Sequence, residues 1–211
     1  RARPVFLSLR RVSPVDMDYQ LAIDSAPESV PGGTGILLLH PSTGETDRID
    51  TDFLKTDTDR FLVISTRTTA REVKQKLDHY DVDEDRAEIL DTLSIERGYS
   101  RRSTDSVHYV SSPADLEGVV EVTRDFLERT EGKRRVSLDS ITEMAYYADE
   151  SRVREVVREL LALLDEHDAV GLFHLSKGVH DEEQVEQFLG VFDAIVDLDR
   201  DGNVETDFGG I

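Results

Sequence analysis

Short, largely apolar runs recur along this chain, most of them followed by a stretch with helical spacing, and that alternation limits the fold more than any other feature. Ile36–Leu39, Phe61–Ser65, Val136–Asp139, Ala169–Leu175 and Ala194–Leu198 are each too short for a helix, and several, such as Ile36–Leu39 and the first four residues of Phe61–Ser65, are too continuously apolar for a half-exposed strand. Strands of that kind are buried on both faces, as in parallel sheets covered by helices. Between them, Thr69–Tyr80 places Val73, Leu77 and Tyr80 on one face, and Ser151–His167 reads strongly as a helix through Val153, Val156, Val157, Leu160, Leu161 and Leu164. Asp47–Leu54 reads as a short helix. A helix is expected from Pro113 or Ala114 to about Glu131, capped by Ser112, with further helices at Thr142–Tyr147 and Asp181–Val191. Ala87–Leu93 is expected to be a strand ending near Asp91, and Gly98–Ser112 a polar loop. Asp201-Gly202 is a turn into Val204–Phe208, which gives a terminal hairpin. The expected fold is a three-layer α/β/α domain with a mostly parallel central sheet and a C-terminal β-hairpin. Residues 31–211 form that domain. Residues 1–30 are expected to be a lead-in segment, with a strand near Pro4–Arg10 and one short helix between Pro14 and Pro31.

The segment after the first apolar run carries the chemistry. Residues 36–46 read Ile-Leu-Leu-Leu-His-Pro-Ser-Thr-Gly-Glu-Thr, a buried strand followed by a turn into a helix. That is the context of a phosphate-binding loop, which ends Gly-Lys-Ser/Thr so that the lysine reaches the β- and γ-phosphates while backbone N–H groups cradle them. Here the ending is Gly44-Glu45-Thr46. One unit charge pair about 4 Å apart is worth roughly 4 kcal/mol at an effective dielectric near 20, so exchanging attraction for repulsion lowers phosphate affinity by several kcal/mol. The candidate nucleotide-site residues are Ser42, Thr43, Gly44, Glu45 and Thr46, joined by Asp139 at the end of the Val136–Asp139 strand.

The order of these pieces over roughly residues 30–205 resembles the KaiC-like branch of the RecA-type P-loop ATPases, a group widespread in archaea. Ser29-Val-Pro-Gly-Gly-Thr-Gly-Ile-Leu-Leu-Leu resembles the Gly-rich lead into the first strand, and Phe61-Leu-Val-Ile-Ser-Thr with Ala70-Arg-Glu-Val resembles the second strand and helix. Arg135-Val-Ser-Leu-Asp139-Ser140 is similar to the Walker B strand, and Val170-Gly-Leu-Phe-His-Leu with Phe192-Asp-Ala-Ile-Val-Asp-Leu to the last core strands. The resemblance implies a P-loop fold, a magnesium-holding role for Asp139, and assembly into homo-oligomers or with other proteins. In hydrolytic members a glutamate after the second strand activates water. This chain has Ser65-Thr-Arg67-Thr-Thr69 there, with no carboxylate before Glu72. Phosphoryl transfer needs a phosphate-binding cation, a base and a metal ligand, and the sequence keeps only the last. The reading is therefore a non-hydrolytic regulatory or protein-interaction module, a pseudo-ATPase with no cofactor. The alternative is an active ATPase binding ATP with magnesium, in which Arg48 or Arg67 replaces the lysine.

Charge limits the partners. The chain carries 45 acidic against 25 basic residues, a net of −20. Only Lys55, Lys74, Lys76, Lys133 and Lys177 are lysines. Acidic residues spread along the whole length resemble the surfaces of halophilic archaeal proteins. Such a field disfavours nucleic acid and anionic membranes. There is no cysteine, no apolar run long enough to span a bilayer, and no signal-peptide pattern at the basic Arg1–Arg11, so a cytoplasmic protein is expected. Asp197-Leu-Asp-Arg-Asp-Gly202 opens like a calcium loop, but its twelfth position is Phe208 rather than Glu, so a hairpin turn is the better reading. His40, His79, His108, His167, His174 and His180 show no metal-ligand spacing, although His174 and His180 flank a loop that would face the nucleotide crevice. Arg101-Arg102 and Lys133-Arg134-Arg135 read as solvated ion pairs, and no aromatic residues interleave them in the manner of a stacking platform.

Overall fold

In the computed structural model, residues 17–42 and 46–209 are described. Two three-residue strands, β1 (Asp18–Gln20) and β2 (Ser29–Pro31), pair antiparallel with Tyr19 opposite Val30. Then follow β3 (Gly35–Pro41), α1 (Asp47–Lys55), β4 (Arg60–Ser65), α2 (Ala70–His79) and a single 3-10 turn at Glu84–Arg86. After these come β5 (Ala87–Asp91), β6 (Val107–Tyr109), α3 (Leu116–Arg129), β7 (Arg134–Asp139), α4 (Ile141–Tyr147) and α5 (Glu150–Glu166). The chain continues through β8 (Val170–Lys177), α6 (Glu182–Leu189), β9 (Ala194–Leu198) and β10 (Val204–Asp207). Eight strands form one sheet in the order β10-β9-β3-β8-β7-β4-β5-β6, parallel throughout except for the β9–β10 hairpin.

The apolar runs work as anticipated because successive side chains of a strand point to opposite faces. Leu37, Leu39, Leu62, Ile64, Val136, Leu138, Phe173 and Leu175 join the core that α3, α4, α5 and α6 cover. Ile36, Leu38, Phe61, Val63, Val170 and Leu172 point the other way, against α1, α2 and the β1–β2 pair. Two glycines let α5 lie close on the sheet: a Cβ at Gly35 would meet Leu161 at 2.2 Å, and one at Gly171 would meet Leu164 at 2.5 Å.

Three expectations need correction. Where a short helix is expected between Pro14 and Pro31, the described residues 17–31 hold strands β1 and β2 instead, and Tyr19, Ile23 and Val30 are buried in the core. Tyr19 also donates its hydroxyl hydrogen to the carbonyl of Asp168 at 2.7 Å, so this segment is fixed by distant partners that no local periodicity reveals. The Pro4–Arg10 strand lies outside the described residues. Within the expected loop at 98–112, Val107–Tyr109 forms the edge strand β6, whose three residues are too few to show a period. The helix expected to start near Pro113 begins at Leu116. Its cap is Asp115, whose carboxylate accepts from the N–H of Gly118 at 3.1 Å, whereas Ser112 accepts only within the preceding turn, from Ala114.

Candidate functional site

The carboxyl ends of β3, β4, β7 and β8 converge on one face of the sheet, the one covered by α1 and α2. Along β7 and β8 that face turns polar where the apolar pattern predicts core: Ser137 and His174 are fully buried, and His40 at the end of β3 is 1% exposed. Ser137 and His174 flank Asp50, which α1 carries inward beside Phe53 and Leu54, at the three- and four-residue spacing of one helical face, and His40 stands edge-on to His174 with ring centroids 5.6 Å apart. Asp50 accepts from Lys76 Nζ at 2.8 Å and from Ser137 Oγ at 2.5 Å, and His174 Nε2 stands 3.4 Å from it. Lys76 reaches in from α2, one position before the buried Leu77. Burial alone would raise the Asp50 pKa, but Lys76 and His174 reverse this and hold the carboxyl well below the usual carboxylate range. Burial would lower the Lys76 pKa, and Asp50 first, with Asp139 and Asp47, raises it above the ordinary lysine value instead. For His40 burial prevails and lowers the pKa; Nδ1 contacts the Pro41 carbonyl at 2.9 Å while Nε2 is buried without a partner.

Asp139 sits at the end of β7, paired in register with Ser65 of β4. The loop after β4 brings Arg67 across it: Nη2 donates to Oδ2 at 3.0 Å and lies 2.8 Å from Oδ1. Thr66 fastens the two loops, with its N–H and hydroxyl both donating to the Asp139 carbonyl, at 2.9 and 2.8 Å. Burial would lower the Arg67 pKa, but Asp139 first, then Glu143 and Asp47, hold it above the ordinary arginine value. The Asp139–Ser140 peptide bond is cis, and Ser140, not Asp139, caps α4 by accepting from Glu143 N–H at 3.2 Å.

Of the residues named from sequence, Asp139 is part of this cluster. Ser42 is exposed at the end of β3 and accepts from Ser176 Oγ at 3.2 Å. Thr46 stands at the cap position of α1, buried, with its carbonyl accepting from Asp50 N–H at 3.0 Å. Thr43, Gly44 and Glu45 lie outside the described residues. Arg48, one of the two arginines considered as a lysine replacement, is directed instead at Asp52 in its own helix, 3.6 Å away. His174 faces the buried network, while His180 bonds Thr142 on α4 at 3.0 Å. The calcium-like segment is the β9–β10 turn, where Asp199 Oδ1 accepts from the N–H groups of Asp201 and Asn203, each at 2.8 Å. Among the described residues no group of three or more His, Asp or Glu side chains is arranged to hold a metal ion. No described helix is long and apolar enough to cross a membrane.

Sequence reading missed Asp50, Lys76 and Ser137 as a unit with His174. The available signal was a polar side chain inside a core strand, Ser137 between Val136 and Leu138, and a carboxylate, Asp50, on the buried face of α1 with Phe53 and Leu54.

Residues 17–208 match the model of a family of unknown function, DUF7090. A search of the curated proteins finds no match. Among solved structures, the chain is similar to a KaiC-like protein of the hyperthermophilic archaeon Pyrococcus horikoshii OT3. That likeness has TM-score 0.57 at 14% identity over 83% of this chain and 77% of that one. It is also similar to an ATPase from the type III secretion system of pathogenic bacteria, with TM-score 0.60 at 16% identity over 94% of this chain and 60% of the ATPase chain. A second protein of P. horikoshii OT3 aligns with TM-score 0.57 at 10% identity, over 83% and 86% of the two chains. At such identities the likeness establishes the fold: a RecA/KaiC-like three-layer domain with a mostly parallel sheet.

Proposed function

The chain belongs to the family of unknown function DUF7090, and we propose that it is a non-hydrolytic RecA-like domain serving as a regulatory or protein-interaction module. The observation that carries this reading is the Arg67 guanidinium placed against both oxygens of Asp139. In P-loop ATPases the aspartate at this strand end helps hold magnesium. The residues present do not fit magnesium with ATP. A divalent ion would have to displace a cation already 2.8 Å from the carboxylate, and the loop that would greet the phosphates reads Gly44-Glu45-Thr46. Lys76, the lysine of this cluster, is committed to the buried Asp50. The rival reading, an ATPase with Arg67 as the phosphate cation, requires that same arginine to leave Asp139. An acidic surface of net −20 also suits a partner bound in high salt, where long-range repulsion is screened.

The test is calorimetric titration with magnesium-ATP in molar potassium chloride, together with a phosphate-release assay, on the wild type and on Asp139→Ala. The expected result is no phosphate release above background in either protein. Turnover by the wild type that disappears in Asp139→Ala would sink the proposal. Light scattering of the purified chain reports whether it self-associates or awaits another protein.

A further inference from the structure

About half of the described basic side chains are paired with carboxylates, and one cleft gathers four that are not. It lies at the far side of the sheet from β3, between α2 and the chain that links β5 to β6, and is an open cleft of about 660 Å³. Arg71 and Lys74 of α2 line it on one side, and Arg97, Tyr99, Arg101 and Tyr109 on the other. Among the described residues none of these four cations has a carboxylate oxygen within 4.0 Å, in contrast to Arg67, Lys76, Arg129 and Lys133. The two acids in the cleft wall are already occupied. Glu72 Oε2 accepts from the N–H and hydroxyl of Thr69 at 2.8 and 2.7 Å. Asp91 is fully buried and accepts from Ala70 N–H at 2.7 Å, from the N–H groups of Leu93 and Ser94, and from the Ser94 hydroxyl. The same bonds cap the start of α2, so the attraction here comes from side chains, not from free backbone N–H groups. Two aromatic residues stand beside these cations: Arg101 lies over the ring of Tyr99, its neighbour in sequence, at 5.2 Å, and β6 brings in Tyr109.

Guanidinium groups pair with phosphate oxygens bidentately, and tyrosine faces accept flat rings. A cleft of this volume is the size of a small-ligand site. The geometry points to a binding site for a mononucleotide, its phosphate held by Arg71, Lys74, Arg97 and Arg101 and its base against Tyr99 or Tyr109. This goes beyond the proposed function: the site shares no residue with the cluster of Asp50, Lys76, Arg67 and Asp139 and requires no hydrolysis. It would give a domain without ATPase chemistry a means of sensing nucleotide.

The experiment is calorimetric titration of the full chain with AMP, pyrophosphate and adenosine as separate probes, in a chelator and at one fixed salt concentration. The variants are Arg97→Gln/Arg101→Gln, whose side chains are exposed, and Tyr99→Ala, with circular dichroism confirming that each is folded. AMP is expected to bind with one-to-one stoichiometry and more tightly than either fragment. The double substitution should weaken AMP by about tenfold to a hundredfold, the loss of two charge-assisted contacts. Absence of AMP binding, AMP binding unchanged in the double variant, or pyrophosphate binding as tightly as AMP would each overturn the assignment. Because the probes contain no triphosphate and no magnesium, failure here leaves the phosphate-release result at Asp139 to be judged by itself.

Discussion

Replacing Asp50 by asparagine tests whether the charged cluster beneath the strand ends is a coupled unit. Asp50 is 1% exposed, with Lys76 Nζ at 2.8 Å and Ser137 Oγ at 2.5 Å, and the Lys76 side chain is itself only 19% exposed. At 2.8 Å and an effective dielectric of about 20, the attraction is roughly 6 kcal/mol, against which the cost of desolvating both ions must be set. The net worth of the pair is therefore small, but breaking it is not. Asp50→Asn keeps an acceptor for Ser137 while leaving the Lys76 ammonium only the exposed Asp47 carboxylate, 3.6 Å away, as its ion-pair partner. Losing one partner of a buried ion pair costs about 3–5 kcal/mol. With a urea slope of about 2 kcal/mol per molar, the unfolding midpoint should drop by about 2 M. Asp50→Asn/Lys76→Met removes both charges and should regain more than half of that loss. Urea denaturation at constant salt, followed by far-ultraviolet circular dichroism, reads all four proteins of the cycle. A midpoint shift below about 0.5 M for Asp50→Asn, or a double variant as unstable as the two single effects added, would refute the coupling.

Arg135 is fully buried between Tyr19 and Phe53, with Nη2 donating to the Gln20 carbonyl at 2.6 Å and Nε and Nη1 without partners. Burial, only partly offset by Tyr19 and Asp57, lowers its pKa to about 10. Arg135→Met should therefore leave the melting temperature unchanged or raise it, whereas Arg135→Ala, which empties the space against Phe53, should cost about 3 kcal/mol; equal losses in calorimetric melts would argue against this. The pH dependence follows from His40 and Asp50, both with folded pKa values held below the ordinary ones. Below about pH 6.5 the unfolded chain takes up a proton that folded His40 resists, and below about pH 4 the same holds for Asp50. Stability is thus complete above the histidine range and declines as the pH falls, and His40→Gln should flatten the upper part of the decline. A urea midpoint that stays level or rises between pH 7 and pH 5 would contradict this assignment.

The sheet strands β3, β4, β7, β8 and β9 and the helices between them were legible because each depends on a pattern inside a few consecutive residues. Leu37 and Leu38 pack on opposite faces of the sheet, and both must be apolar whatever lies elsewhere in the chain. Edge strand β6 and the β1–β2 pair were not legible, since three residues carry no period and Tyr19 is held by Asp168, 149 residues away. Asp139 is legible as a strand-end carboxylate, whereas nothing local to Arg67 shows that it pairs with Asp139, 72 residues away.

The amino-acid sequence by itself determined the layered parallel architecture, the acidic surface, and the glutamate where a phosphate loop carries lysine, for these are properties of local pattern and composition. Tertiary structure alone decided what the remaining charges do. It set Arg67 on Asp139 across 72 positions, drew Asp50, Lys76, Ser137 and His174 into one buried cluster, and gathered Arg71, Arg97, Arg101 and Tyr109 around a cleft. The reason is physical: an apolar side chain needs only to leave water, which any core permits, whereas a charge needs a particular partner at about 3 Å, and only the folded chain supplies it.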